Sequence, residues 1–155
     1  MMAGDLYFQM AGSTSASFLV EVDGKEVGRF TEVDGLQIEL EVESYTEGGN
    51  NEYVHQFASR LTWPNLTFKA GITNDDALLS WFDASVGTMT LRSEGVERDS
   101  AAVTLLSASG QRLRSWELYD AMPVRWSGPS LASDANEVPT EELEVTHHGF
   151  RSVTF

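Results

Sequence analysis

The clearest pattern in the chain is a strict alternation of apolar and polar residues in one segment. Leu36, Ile38, Leu40 and Val42 alternate with Gln37, Glu39, Glu41 and Glu43. A strand places all four apolar side chains on one face, whereas a helix would scatter them around its axis. The segment is therefore predicted to be a strand with one buried face and one acidic face.

Shorter alternating or β-branched runs predict further strands. They cover residues 18–22, 27–33, 61–71, 88–93, 101–108, 112–121, 124–126 and 141–150. Asp23-Gly24 and Asp34-Gly35 tolerate positive φ and predict turns, and Ser109-Gly110 predicts a hairpin. Pro64 inside the 61–71 segment indicates a bulge or an edge position.

One segment has helical spacing, and its helix is predicted at about 74–86. Its apolar residues fall within one arc: Leu78, Leu79, Trp81, Phe82 and Val86. Thr73 suits the N-cap and Gly87 suits the left-handed position after the last turn. This helix is the only one that the pattern predicts.

Together these elements predict a mainly β fold, an antiparallel barrel or sandwich of about eight strands with one flanking helix. Residues 17–155 are predicted to form a single domain. Residues 1–16 lack periodicity and are predicted to be a flexible N-terminal arm. The string DLYFQM within them resembles a protease-site remnant of an expression vector, and a native arm is equally compatible with it.

Composition then limits the partners. The chain has 155 residues, with 10 Lys and Arg against 24 Asp and Glu, a net charge of −14, and no Cys. This charge argues against nucleic-acid recognition and anionic membranes, and the lack of Cys excludes disulfides and thiolate metal sites. No apolar run is long enough for a transmembrane helix.

Candidate chemistry is sparse. Glu144, His147 and His148 are residues of types that bind metals. However, adjacent strand residues point to opposite faces, so no metal site is predicted. His55 lies in a polar loop without a nucleophile motif nearby. No phosphate-binding or dinucleotide-binding glycine motif is present. We therefore expect no catalytic residue, no cofactor and no enzyme activity.

Three separated blocks carry a family resemblance. They are EGG-x-NEY-V-H from Glu47 to His55, W-P-N-L-T-x-K-x-G from Trp63 to Gly71, and W-S-G-P…NEV…E-x-L-E-x-x-H-x-G-F from Trp126 to Phe150. In this order they resemble the phage tail tube protein family, which includes the inner tubes of contractile tails and contractile injection systems and has an Hcp-like fold. The resemblance covers residues 18–150.

The resemblance implies a structural protein that forms homohexameric rings, stacked into a hollow inner tube. Contraction of a surrounding sheath would drive this tube through a target envelope. The implied partners are further copies of the chain, the sheath protein, baseplate, spike and cap proteins, and lumenal cargo. The implied location is the bacterial cytoplasm during assembly, then a phage tail or an injection particle.

Three groups of residues are candidates for these roles. The predicted ring-stacking interface is the loop Glu47, Gly48, Gly49, Asn50, Asn51, Glu52, Tyr53, Val54, His55 and Gln56. The predicted charged surface, facing either the lumen or the sheath, is Gln37, Glu39, Glu41 and Glu43. The family-motif residues with a structural role are Trp63, Pro64, Asn65, Trp126, Ser127, Gly128, Pro129, Asn136 and Glu137.

Two other functions stay open at this point. A tube initiator or terminator near the baseplate or cap would have the same fold. A carbohydrate-binding sandwich is a more distant alternative, which would need an exposed aromatic platform.

Overall fold

The structure, a computed structural model, describes residues 16–49, 52–72, 76–86, 99–129 and 138–155. The first strands are β1 (Ser17–Val22), β2 (Lys25–Phe30), β3 (Glu32–Asp34), β4 (Glu39–Tyr45), β5 (His55–Thr62) and β6 (Leu66–Gly71). They are followed by helix α1 (Ala77–Val86) and by β7 (Asp99–Leu106), β8 (Arg112–Ser127), β9 (Thr140–Thr146) and β10 (Phe150–Val153).

The described strands form two antiparallel sheets. The larger has eight strands in the order β2-β1-β7-β8-β9-β6-β3, and β10 pairs with β8 beside this path. The smaller sheet contains only β4 and β5. The predicted mainly β, antiparallel fold with one flanking helix is confirmed.

The larger sheet curls until its two ends meet at Thr31. This residue separates β2 at one end of the strand order from β3 at the other. Its backbone N–H and its hydroxyl both donate to the Lys69 carbonyl, at 3.0 and 3.2 Å. Since β2 and β6 do not pair in the described residues, the sheet is sandwich-like and is not a closed barrel.

The core fills the inside of this curled sheet. Its largest fully buried side chains include Phe30, Leu66, Phe68, Leu118 and Leu143. Helix α1 adds Leu78 and Trp81 to the same cluster, which confirms the predicted apolar arc. The Trp81 indole donates a hydrogen bond of 3.0 Å to Asp99 at the start of β7, and this bond fixes the helix against the sheet.

Two predicted turns have the expected backbone. Asp23 and Gly24 have φ of 50° and 76°, as a two-residue hairpin loop requires, and β1 pairs with β2 around them. Gly110 has φ of 84° in the turn between β7 and β8, which confirms the predicted hairpin.

Several predicted strand boundaries are wrong. The segment 27–33 is interrupted at Thr31, and 61–71 is divided between β5 and β6 because Pro64 lacks the N–H that would continue a ladder. Conversely, 112–121 and 124–126 belong to one long strand, β8, which bends at Asp120 with φ of 50°. The segment 141–150 is interrupted before Phe150.

Other predictions lie outside the described residues. They are the strand at 88–93, the helix caps Thr73 and Gly87, and residues 1–15 of the N-terminal arm.

Candidate assembly surfaces

The hairpin formed by β4 and β5 has two chemically different faces. Directly opposed residues of an antiparallel pair share a face, and Leu40 opposes Leu61 while Val42 opposes Ala58. These residues form what we call the aliphatic face: Leu40, Val42, Ala58 and Leu61. β5 has one extra residue between Ala58 and Leu61, which forms a bulge. Because of this bulge, Ala58 and Leu61 lie on the same face of the hairpin.

The aliphatic face is not covered by the described part of the chain. Leu40, Val42 and Leu61 are 52%, 52% and 54% exposed, and Ile38, just before the strand, is 54% exposed. The prediction that this face is buried is therefore wrong for the isolated chain. Leu36 alone of the four alternating residues packs against the core, because the chain leaves the larger sheet immediately after it.

The opposite face of the hairpin carries the predicted carboxylates. Glu43 opposes Phe57, and Glu39 opposes Thr62. We call this the acidic face, and it contains Glu39, Glu41 and Glu43. All three side chains are exposed, as is Gln37 before the strand, and the Ser59 hydroxyl donates to Glu43 at 3.4 Å. The structure thus places the predicted charged residues together on one solvent-facing surface.

The tip of the hairpin forms an aromatic cluster around His55. The His55 Nε2 lies 3.1 Å from a Glu47 carboxylate oxygen. The imidazole stacks on Phe57 with centroids 6.4 Å apart and meets the Tyr53 ring edge-on at 5.0 Å. Tyr53 and Phe57 are 60% and 59% exposed, so the cluster faces solvent.

Other predicted tip residues are placed as follows. Gly48 and Gly49 form a turn, and Gly49 has φ of 98°, a conformation that favours glycine. Val54 is 48% exposed, and Gln56 opposes Ser44 in the ladder. Glu52 is exposed, whereas Asn50 and Asn51 lie outside the described residues.

The motif residues Trp63, Pro64 and Asn65 form the segment that connects the hairpin to β6. The Trp63 ring meets Phe150 edge-on at 5.2 Å. The His147 Nε2–H donates to the Pro64 carbonyl at 3.0 Å. Two of the three sequence blocks are therefore in direct contact, which their separation along the chain did not reveal.

Asn65 belongs to a polar network on the outside of β6, β9 and β8. Its amide donates to one oxygen of Glu144 at 2.9 Å, and Arg125 donates to the other oxygen at 2.9 Å. Arg125 also reaches Glu142 at 3.2 Å. Both hydrogen bonds stabilise the charged form of Glu144 and therefore lower its pKa. The bond from Asn65 has the larger effect, and the bond from Arg125 has the next largest.

The third sequence block extends this network along β8. The Trp126 indole donates to Glu141 at 3.1 Å, and Ser127 opposes Glu142. A Cβ at Gly128 would lie 2.8 Å from the Trp126 ring, so glycine permits the ring to cover the strand end. Pro129 follows as the last described residue before a gap, and Asn136 and Glu137 lie outside the described residues.

The adjacent histidines diverge, as the strand pattern predicted. His147 is 4% exposed, whereas the His148 side chain is 58% exposed and lies 3.1 Å from Asp120. Within the described ranges, no group of three metal-ligating side chains is assembled. A surface pocket of about 240 Å³ lies between β2, β6 and α1 and is lined by residues such as Val27, Ala70 and Leu78. The charged residues in its lining are Glu26, Arg29 and Glu141.

Sequence reasoning missed the structural role of His147. Its only sequence signals were its position in the string H-x-G-F of the third block and the alternation with Leu143 and Val145, which placed it on their face of the strand. The contact with Pro64 depends on two loops that meet only in the folded chain.

A comparison with protein families decides the identity of the fold. The model of the T4-like virus tail tube protein gp19 matches residues 14–151. The chain belongs to this tail tube protein family. The family expected from the three sequence blocks is thereby confirmed, and it is a family of structural tube proteins.

Solved structures share the fold of this tail tube protein at low sequence identity. A chain of the anti-feeding prophage baseplate has a TM-score of 0.72 and 23% identity, covering 92% of this chain and 94% of that one. A chain of the sheath-tube complex of the extracellular contractile injection system PVC has a TM-score of 0.72 and 20% identity, covering 89% and 88%. Hcp1 from Flavobacterium johnsoniae has a TM-score of 0.51 and 12% identity, covering 90% and 96%.

The search among curated proteins gave no match. Among the helices formed by the described residues, none is long and apolar enough to span a membrane.

Proposed function

We propose that this tail tube protein forms six-fold rings that stack into the hollow inner tube of a contractile injection particle. The sheath surrounds this tube and drives it through a target envelope on contraction. The observation that carries the proposal is the β4–β5 hairpin, a well-formed strand pair whose aliphatic face no other described residue of the chain covers. Membership of a tail tube family gives the kind of assembly that would cover it.

The exposed hairpin has a physical need for a neighbour. A two-stranded sheet alone is only marginally stable in water. Full burial of one aliphatic side chain contributes about 1.5 to 3 kcal/mol, so covering the exposed halves of Leu40, Val42 and Leu61 contributes roughly 1 kcal/mol each. Both outer edges of the hairpin also carry backbone groups that a second copy can pair. Repeated around a ring, these contributions favour a closed assembly.

The acidic face then belongs on a wet surface of the tube. Carboxylates without cations beside them are costly to bury, so Glu39, Glu41 and Glu43 face either the lumen or the gap between tube and sheath. A lumenal position would repel acidic cargo, and an outer position would favour a sheath with a basic lining. Reaction of Glu39→Cys with a thiol reagent too large to enter the tube distinguishes these positions.

Ring stacking is assigned to the hairpin tip, Glu47 to Gln56. Tyr53 and Val54 offer exposed apolar area there, and the His55 cluster holds the tip in one shape. Burying one aromatic side chain contributes about 1.5 to 3 kcal/mol, which is repeated six times per ring contact. The tip lies away from the core, so its loss should affect stacking more than folding.

Electron microscopy of the purified protein tests both parts of the proposal. The parent protein should form rings and tubes, and a variant with residues 47–55 replaced by a short Gly-Ser turn should form rings without long tubes. The thermal transition of the body should change little. A strictly monomeric parent at high concentration contradicts the ring, and a shortened variant that still forms long tubes contradicts the role of the tip.

A baseplate-proximal or terminal member of the family is the second candidate. It is favoured by the similarity to a chain from an anti-feeding prophage baseplate structure, although that similarity shows the fold alone. Immunogold labelling of native particles distinguishes the two functions. A tube protein is labelled along the whole length after the sheath is removed, and an initiator or terminator is labelled at one end.

A further inference from the structure

The hairpin is held in its orientation by its two connecting segments. In the described residues, β4 and β5 pair only with each other. The first connection runs from Gly35 to Ile38, and the second consists of Trp63, Pro64 and Asn65. The angle between hairpin and body therefore depends on how firmly these two segments are held.

The two connections touch each other at the base of the hairpin. Gly35 has φ of 94°, and a Cβ there would lie 2.2 Å from the Asn65 carbonyl oxygen. The Asp34 carboxylate accepts a hydrogen bond of 2.9 Å from the Gly35 N–H, which fixes the first connection. The first connection is thus positioned against the second.

Each residue of the second connection contacts the segment 144–150, which runs from β9 to the start of β10. Trp63 lies against Phe150 and against Gly149, where a Cβ would come 3.0 Å from its ring. Pro64 accepts a hydrogen bond from His147, and Asn65 donates to Glu144 in β9. We call these contacts the base clamp.

The clamp is itself anchored on β8. The Tyr119 N–H donates to the Gly149 carbonyl at 2.9 Å, and the His148 N–H donates to the Tyr119 carbonyl at 2.8 Å. Because β8 lies in the middle of the larger sheet, the base clamp connects the hairpin to the core of the protein.

His147 occupies the centre of the clamp with both ring nitrogens engaged. Its Nδ1 accepts from the Gly149 N–H at 3.1 Å, so its Nε2 carries the proton that it donates to Pro64. The first bond is local, whereas the second spans 83 residues of sequence and reaches the hairpin connection. Only the second bond can hold the hairpin.

We infer that His147 is a positioning residue for self-assembly, and that its Nε2–H to Pro64 bond fixes the angle at which the hairpin leaves the body. This inference rests on the proposed assembly function and adds to it the residue that sets the orientation of the hairpin. β5 has 8 residues, so at about 3.3 Å per residue a tilt of about 10° at the base displaces the tip by about 4 Å. A displacement of that size removes the contacts between matching surfaces of neighbouring copies.

Two substitutions separate the bonds of His147. In His147→Gln, the side-chain amide nitrogen lies near the position of Nε2 and can still donate to Pro64. In His147→Asn, the amide oxygen lies near the position of Nδ1 and can still accept from Gly149, but the side chain is too short to reach Pro64. Both variants remove the buried ring, and His147→Asn removes one methylene more than His147→Gln, so the Asn65 variants described below serve as a test that leaves the core intact.

The orientation can be measured without reference to tubes. The chain has no Cys, so spin labels at Ser44→Cys in the hairpin and Ala108→Cys in the body report one intramolecular distance. Labelled protein is diluted into an excess of unlabelled protein of the same variant. We expect a narrow distance distribution for the parent and for His147→Gln, and a broad or shifted one for His147→Asn.

Assembly is then measured on the same variants by electron microscopy and sedimentation. His147→Gln should retain assembly, and His147→Asn should lose it while its body remains folded. An unchanged narrow distribution for His147→Asn overturns the inference, as does equal broadening in both variants. The distance result stands even if the parent forms no rings, so failure of the proposed function is recognised separately.

A surface substitution keeps the inference testable if both His147 variants unfold. Asn65 is exposed, and Asn65→Asp replaces the donor to Glu144 with a repelling carboxylate at little cost to the core. We expect Asn65→Asp to broaden the distance distribution, and Asn65→Gln to broaden it less. A folded Asn65→Asp variant with the distance distribution of the parent overturns the role of the clamp.

Discussion

The hairpin and the β6–β9 pair have similar sequence patterns but opposite burial. In β6, Leu66 and Phe68 alternate with Thr67 and Lys69 and are 0% and 1% exposed. In β4, Leu40 and Val42 alternate with glutamates and are both 52% exposed. The difference shows that alternation determines which side chains share a face, whereas the surrounding chain determines whether that face is covered.

The same difference in burial predicts which substitutions affect folding stability and which affect assembly. The β6–β9 pair lies within the core cluster, so changes there should affect folding first. The hairpin contributes its apolar surface to a neighbour, so changes there should affect association first. The following variants test this division, ordered by their expected effect on the free energy of unfolding.

The largest effect is expected from Leu143→Ala in β9. Leu143 is 0% exposed, and truncating a buried leucine typically costs about 2 to 5 kcal/mol because it loses contacts and leaves a cavity. Leu40→Ala is the matched substitution in the hairpin and should cost less than about 1 kcal/mol. Urea unfolding of both variants checks the comparison. Equal losses of stability would show that the hairpin is part of the folding core.

A smaller, pH-dependent effect is expected from Glu144→Gln. The pKa of Glu144 is lowered in the folded chain by Asn65 and Arg125, so its charged form contributes stability above the unfolded pKa of about 4.3. That contribution is lost as the pH falls through the folded pKa. We expect the variant to be less stable by roughly 1 kcal/mol at pH 7, since charge-assisted hydrogen bonds are lost.

The difference between Glu144→Gln and the parent should shrink below pH of about 4.3, as thermal unfolding between acid and neutral pH would measure. Glu39→Gln is the control, because Glu39 has no ion pair in the described part of the chain. A destabilisation by Glu144→Gln that is the same at all pH values would contradict the electrostatic explanation.

Leu40→Asn should change stability by less than about 1 kcal/mol, since the side chain is already half exposed and loses mainly its cross-strand contact with Leu61. It should nevertheless prevent assembly, because a polar side chain then lies in the proposed interface. Leu40→Met keeps the apolar surface and should retain tubes in electron micrographs. Normal tubes from Leu40→Asn would place the interface elsewhere.

The smallest effect on folding is expected from replacing Glu39, Glu41 and Glu43 together with Gln. Neighbouring carboxylates on one strand face lie about 7 Å apart and repel by roughly half a kcal/mol in water, so stability should be unchanged or slightly higher. The salt dependence of tube or particle assembly should decrease. Unchanged assembly with unchanged salt dependence would remove the acidic face from the function.

Local pattern was sufficient for the helix and for most strands because these depend on neighbouring residues. It did not predict β5, since His55 and Gln56 were interpreted as part of a loop. The helix at 77–86 falls within the predicted 74–86, and the Asp23-Gly24 turn has the positive φ values that its residues favour. Strand limits were less predictable. A proline ends one strand at Pro64 but lies inside β8 at Pro123, where a register shift in the ladder accommodates the missing N–H.

The assembly surfaces were predicted only in part. The sequence placed Glu39, Glu41 and Glu43 on one face and grouped the tip residues from Glu47 to Gln56. It did not reveal that Phe57 stacks on His55, because residues up to Gln56 were interpreted as a loop, and only the strand β5 that begins at His55 places these two side chains on one face.

The sequence by itself determined the family, most of the antiparallel strands, and the acidic and aliphatic sides of the strand that contains Leu40 and Val42. These follow from a period of two and from short motifs, which act over a few residues. Only the tertiary structure decided that the described residues leave the aliphatic face uncovered and that His147 reaches Pro64. Both depend on where distant segments meet: the ends of the larger sheet meet at Thr31, and the hairpin lies outside that sheet.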